Sequence, residues 1–234
     1  MKWDWQVFLQ DTGEGRTYLQ WLLSAWGWTL SVSAGGLVIA LAVGSLMGIL
    51  RTTPSKALVF IGNAWTELFR NIPLLVQLFL WYHVLPSIFL VLRDVPSFVL
   101  VIFALGFFTS ARISEQVKAG IEALPKGQRY AGLAMGLTLP QTYRYVLLPM
   151  AFRIVVPPLT SESMNIIKNS SVAFAVSISE LTMFAMQAQE ETSRGIEIYL
   201  AVTALYFISA FAINRIALLI ENRVQVPGML AGGK

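Results

Sequence analysis

Six polar residues stand within or at the edges of apolar runs, where a side chain that ionises or hydrogen-bonds is costly: Arg70, Asn71, Gln77, Glu162, Asn165 and Lys168. Glu162 lies six residues before Lys168 and has two readings. Its carboxylate either faces a passage, where it meets a ligand's ammonium group or another cation, or forms a salt bridge inside a helix bundle, with Arg153 as partner. Arg70 and Asn71 precede Pro73, which removes a backbone hydrogen bond and kinks a helix. They either meet carboxylates at the kink, or Arg70 pairs with Glu67 along the helix surface. Asn165 and Gln77 line a path or hydrogen-bond between helices. Lys168, with Ser170, forms a gate or a helix-ending turn. No nucleophile–base pair or metal cluster accompanies these residues, since the chain has one histidine, His83, and no cysteine. The spacing Gly228 to Gly233-Lys234 imitates a phosphate-binding loop but lacks the hydroxyl residue, the strand and the helix; it reads as a tail.

Side chains like these must be carried by elements that reach membrane depth, and the composition provides them. Of 234 residues, 56% are hydrophobic and 13% charged, with mean hydropathy +0.63, too little charge to cover a soluble surface. The predicted fold is all-α and polytopic, with five transmembrane helices at about residues 26–50, 59–84, 97–111, 150–168 and 198–220. An N-terminal interfacial segment (1–25) precedes the transmembrane domain (26–221), and a tail (222–234) follows it. Trp3, Trp5, Phe8, Trp21, Trp26 and Trp28 read as interfacial anchors, and no apolar signal-peptide core is evident. Residues 172–192 form a mildly amphipathic helix outside the main spans. Gly36, Ala40, Gly44 and Gly48 make a small-residue column on the first span, suited to close helix packing.

Basic residues orient the five spans. With the N-terminus outside and the C-terminus in the cytoplasm, inner segments hold Arg51, Lys56, Arg112, Lys118, Lys126, Arg129, Arg144, Arg223 and Lys234. The outer segments hold Lys2, Arg16, Arg93, Lys168 and Arg194. The excess of 17 basic over 13 acidic residues suits such loops and not a nucleic-acid surface.

The segment 112–149 is too structured for a connector. A polar helix ends at Leu124-Pro125-Lys126-Gly127, and a helix over 128–137 then puts Tyr130, Leu133, Ala134 and Leu137 on one face and Gly132 with Gly136 on another. Each glycine costs about 1 kcal/mol against alanine, so this helix needs something packed on it. Thr138 to Gln141 reads as a capping box with Pro140 in the first turn, opening a second short helix over 141–148 that stops at Pro149.

This segment resembles the "EAA" loop of ATP-binding-cassette importer permeases, in which Glu-Ala-Ala is followed by a glycine and, farther on, Ile-x-Leu-Pro. The match falls on Tyr130-Ala131-Gly132, Gly136 and Val146-Leu147-Leu148-Pro149, with Tyr130 and Gly132 replacing the family's glutamate and second alanine. Glu67-Leu-Phe-Arg-Asn-Ile-Pro-Leu-Leu-Val-Gln77 is similar to the ELFRGTPLLVQ segment of polar amino-acid permeases. The runs from Ser114 to Gln128 and from Ile167 to Ser171 agree as well. The resemblance is nearest to permeases of the glutamate/aspartate type within the histidine/glutamine-permease-like family. It implies a type I ABC importer transmembrane domain in a bacterial inner membrane, working with a second permease subunit, identical or homologous. Two cytoplasmic ATPases and a periplasmic amino-acid-binding protein complete the implied assembly. The ATPase-coupling residues would be Gln128, Tyr130, Ala131, Gly132, Gly136, Leu148 and Pro149. No cofactor binds this chain, ATP and magnesium belonging to the ATPase, and the chain is no enzyme. The implied cargo is a polar, acidic amino acid; glutamine, histidine or arginine are alternatives, as is an ion-coupled secondary transporter.

Overall fold

The computed structural model describes residues 3–224. Helix α1 (Tyr18–Leu50) opens on a reciprocal capping box between Thr17 and Gln20 and runs 33 residues without a break. It therefore begins inside the segment expected to be interfacial, and Trp21, expected as an anchor, is buried. Phe8 is buried with it, because the 3-10 turn Trp5–Leu9 folds back onto the N-terminal end of α1. Trp3, Trp5 and Trp28 remain exposed.

Helix α5 (Ser97–Glu122) lies along α1, and the small-residue column is the seam between them. A Cβ on Gly44 would stand 2.7 Å from both Ile113 Cβ and the Ser110 carbonyl oxygen; one on Gly48 would meet Val117 Cβ at 2.7 Å. The two backbones approach this closely only because no side chain stands between them.

The second run is an elbow where the sequence suggested a kink. Helix α2 (Lys56–Asn71) and the following piece, made of α3 (Leu74–Phe79), a π turn and α4 (Leu85–Ile88), meet at 103°. Proline disfavours helical backbone at the residue before it, and Ile72 is extended (φ −98°, ψ 128°). Two carbonyls orphaned by the break are recovered by Gln77, whose Nε2 donates to Phe69 O at 2.8 Å and Ile72 O at 2.9 Å.

After α5 come α6 (Lys126–Ala134) and α7 (Leu139–Thr142), then a π turn (Tyr143–Leu147) leading into α8 (Leu148–Ser170). Pro149 does not stop the second short helix. It sits in the first turn of α8, where its missing N–H costs little, and the widened π turn before it gives its ring room. The chain from Leu139 to Val176 is thus one helical rod, bent by 54° before α9 (Leu181–Thr192). Helix α9 was expected outside the main spans. Instead Leu181, Phe184, Ala185 and Ala188 are wholly buried against α1 and α10 (Gly195–Val224), with Phe184 edge-on to Trp21 at 5.1 Å. Three helices (α1, α5 and α10) are long and apolar enough to cross a membrane, and five spans result if each bent pair crosses once. Among the described residues the single β pairing is the bridge Asp11–Thr17, so the fold is all-α. The glycine–lysine spacing at 228–234 lies outside the described residues.

Candidate functional site

Helix α8 shows three faces. One packs on α5 and carries Glu162, whose side chain is 9% exposed. Gln116 Nε2 donates to Glu162 Oε1 at 3.2 Å, and Arg112 Nη1 lies 3.7 Å from Oε2, an ion pair too long for a hydrogen bond. Consistent with that length, Glu162 Oε2 and Gln116 Oε1 are buried without hydrogen-bond partners. The salt-bridge partner is Arg112, not Arg153, because Arg153 points off the far side of α8 to an exposed position.

Arg112 was placed in the inner loop by its charge. Residues 97–111 extend only about 22 Å as a helix, short of the roughly 30 Å hydrocarbon thickness. α5 instead continues unbroken to Glu122, so Arg112 lies within the helix with its side chain 48% exposed. That length argument was the available signal.

One turn farther along α5, Glu115 accepts from Arg70 Nη1 at 3.2 Å and from Arg51 Nη2 at 2.9 Å. Arg70 also holds Glu67 at 2.8 Å, and Asn71 Nδ2 donates to the Glu67 carbonyl and carboxylate at 2.8 and 2.9 Å. Arg70 and Asn71 are therefore engaged by Glu67 at the elbow. Arg51, which the sequence offered only as a connector charge, is a buried hub: Nε donates to Asn63 Oδ1 at 2.8 Å and Nη1 to Ser114 Oγ at 3.2 Å. Arg112, Glu162, Gln116, Glu115, Arg70 and Glu67 thus form one row along α5, drawing on α2 and α8. Gln77 is not in the row; it is 2% exposed and serves the elbow.

The second face of α8 lines an apolar crevice of about 350 Å³ with α1 and α10. The third face is open and carries Arg153, Pro157, Ser161 and Lys168, with Asn165 half-buried at its margin.

In the segment between α5 and α8, Gly136 does not lie on a helix as expected. It is the left-handed residue ending α6 (φ +84°), with Gly136 N–H donating to Leu133 O at 3.0 Å and Leu137 N–H to Gly132 O at 3.1 Å. Gly132 faces inward: a Cβ there would meet Thr142 Cγ2 at 2.8 Å. The predicted cap is present, Thr138 N–H donating to Gln141 Oε1 at 2.8 Å. Tyr130, Ala131, Leu133, Ala134 and Met135 are exposed, while Gln128 and Leu148 are half-buried and Pro149 is exposed. Tyr143 Oη donates to Thr52 O at 2.8 Å and ties this segment to the end of α1. His83 is exposed and lies edge-on to Tyr82, and no cluster of metal-ligating residues occurs among the described residues.

Residues 22–226 match the family of binding-protein-dependent transport system inner membrane components. The chain is 42% identical over 241 residues to the glutamate/aspartate import permease protein GltJ of Escherichia coli (strain K12), covering 98% of each. It is 32% identical over 197 residues to the probable glutamine ABC transporter permease protein GlnM of Bacillus subtilis (strain 168), covering 84% of this chain and 90% of that one. A crystal structure of an amino acid ABC transporter with histidines superposes with a TM-score of 0.78 at 28% identity, covering 95% of this chain and 100% of that one.

Proposed function

The chain belongs to the binding-protein-dependent transport system inner membrane components, and from that premise we propose that it passes an acidic amino acid through the membrane in an ATP-driven importer. The likeness to a glutamate/aspartate permease over nearly the whole chain supports the acidic cargo. One observation carries the passage: Arg112, Glu115, Arg70 and Glu67 leave between 38% and 53% of their side chains exposed in a row reaching membrane depth. Half-exposed charges are not tolerated against lipid, so this row faces water or a partner chain. Glu162 then holds Arg112 at the edge of the passage, and Asn165 and Lys168 border it on α8.

A second permease subunit closes the other side, and two ATPases, which bind ATP and magnesium, attach in the cytoplasm. An external amino-acid-binding protein delivers the cargo to the outer face. The apolar patch of Tyr130, Leu133, Ala134 and Met135 offers the ATPase a seat, shaped by Gly132 and Gly136. The N-terminus lies outside and the C-terminus inside, as the loop charges favour. The chain hydrolyses nothing itself. Uptake of radiolabelled glutamate and aspartate into vesicles carrying the reconstituted complex tests this. Uptake that requires ATP and the partners is expected; uptake by this chain alone, without ATP, would overturn it.

A further inference from the structure

The open face of α8 is distinct from the row along α5. Arg153, Pro157, Ser161, Asn165 and Lys168 fall within an arc of about 120° at 100° per residue. Arg153 and Lys168 are separated by about 22 Å along the helix, less than the roughly 30 Å hydrocarbon thickness. They cannot both reach an interface at their own level, and tilting the helix shortens their vertical separation further. Among the described residues neither has an ion-pair partner. The charged groups nearest the face, Arg112 from α5 and Glu162 on α8 itself, are already paired with one another.

A second observation concerns the backbone of the same face. Pro157 and Pro158 have no N–H, so the carbonyls of Arg153 and Ile154 lose their α-helical donors. Both residues are exposed. Open carbonyls at membrane depth occur where a helix lines a polar cavity, not where it meets lipid. Two unpaired cations and two acceptor carbonyls on one face match a small molecule that carries carboxylates and an ammonium group.

We propose that this face of α8 is a positively biased lane for small amino carboxylates, with Lys168 and Arg153 as its two carboxylate stations and the Arg153 and Ile154 carbonyls as the acceptor for the ammonium group. The proposal rests on the permease function above and adds its selectivity: the two cations favour acidic over neutral cargo.

The chain has no cysteine, so a thiol can be introduced singly. In the reconstituted complex, Ser161→Cys is treated with 2-sulfonatoethyl methanethiosulfonate (anionic) and 2-trimethylammonioethyl methanethiosulfonate (cationic), and labelling is read by the mass of this chain. The anionic-to-cationic rate ratio is expected to exceed that of 2-mercaptoethanol in solution by about ten-fold. Adding Arg153→Gln and Lys168→Gln is expected to return the ratio to within about two-fold of the solution value. Asn165→Cys, one turn on, is the second probe should Ser161→Cys fail to assemble. No reaction with either reagent at both positions would overturn the proposal, as would a solution-like ratio or a bias that survives the neutralised background. Labelling does not require transport, so a complex that shows the bias but fails to take up amino acid with ATP refutes the function above and leaves the lane standing.

Discussion

Helices α8 and α10 both leave one side uncovered, and the two sides are made of opposite materials. From Tyr199 to Ala212 the open side of α10 presents Tyr199, Leu200, Ala204, Phe207, Ile208 and Phe211, with Thr203 its one hydroxyl-only side chain. Its first open cation, Arg215, lies in the C-terminal third of the helix with its guanidinium 4.8 Å above the Phe211 ring. The open side of α8 alternates cations, a hydroxyl, an amide and proline-freed carbonyls over the same depth. Exposure in an isolated subunit therefore does not identify a lipid-facing surface; chemistry at a given depth does. α10 is solvated by acyl chains and α8 by water or a partner.

The sharpest way to break this contrast is to move a charge onto the wrong helix. Phe207→Arg puts an arginine against hydrocarbon at a cost of about 3 kcal/mol and is expected to cut the membrane-inserted yield severely, while Ser161→Arg on α8 inserts normally. Quantifying both in the membrane fraction checks this, and equal yields would erase the distinction. A smaller effect is expected from Glu162→Gln, which strands Arg112. Because Arg112 is half-exposed, the loss is about 1–2 kcal/mol, well below the figure for a fully buried pair. It should appear as a lowered melting temperature together with impaired uptake; unchanged melting and uptake would leave the pair without consequence.

The elbow extends the contrast to a helix that changes direction instead of chemistry. Gln77→Leu leaves the carbonyls of Phe69 and Ile72 without their donor and is expected to cost about 1–2 kcal/mol, seen as faster proteolysis or hydrogen exchange around residues 69–77. Smallest of the set, Gly136→Ala forces a side chain into left-handed backbone at about 1 kcal/mol. It should weaken ATPase association about five-fold while leaving insertion intact, measured by co-purification.

Several of these positions were legible in the amino-acid order, and others were hidden for physical reasons. The small-residue column, the Thr138 cap and the charge at Glu162 are local signals, and each has its counterpart in the structure. Arg112 was read as a loop charge, and a run of residues 97–111 is short for a crossing; α5 instead continues unbroken through Arg112 to Glu122. Helix α9 reads from sequence as a mildly amphipathic helix outside the main spans because its polar side is as conspicuous as its apolar one. Only the fold reveals that the N-terminal ends of α1 and α10 close over Leu181 and Phe184. Pro149 has the same type as Pro73 and the opposite outcome. Proline breaks a helix where it follows an extended residue and is harmless in a first turn, and that difference lies in the backbone before it. Gln77 is polar in an apolar run, a pattern shared by residues that line a passage and residues that staple a bend.

The rod from α7 through α8 has a geometric consequence. It contains no elbow between Leu139 and Val176, and Tyr143 pins its N-terminal end to Thr52. Lys168 lies about 38 Å along it from Tyr143. Swung as a lever about that pin, a tilt of only 10° carries Lys168 sideways by about 6.5 Å, on the scale of an amino acid's width. A modest push at the pinned end is thereby magnified into opening or closing at the far end, with no joint in between to absorb it.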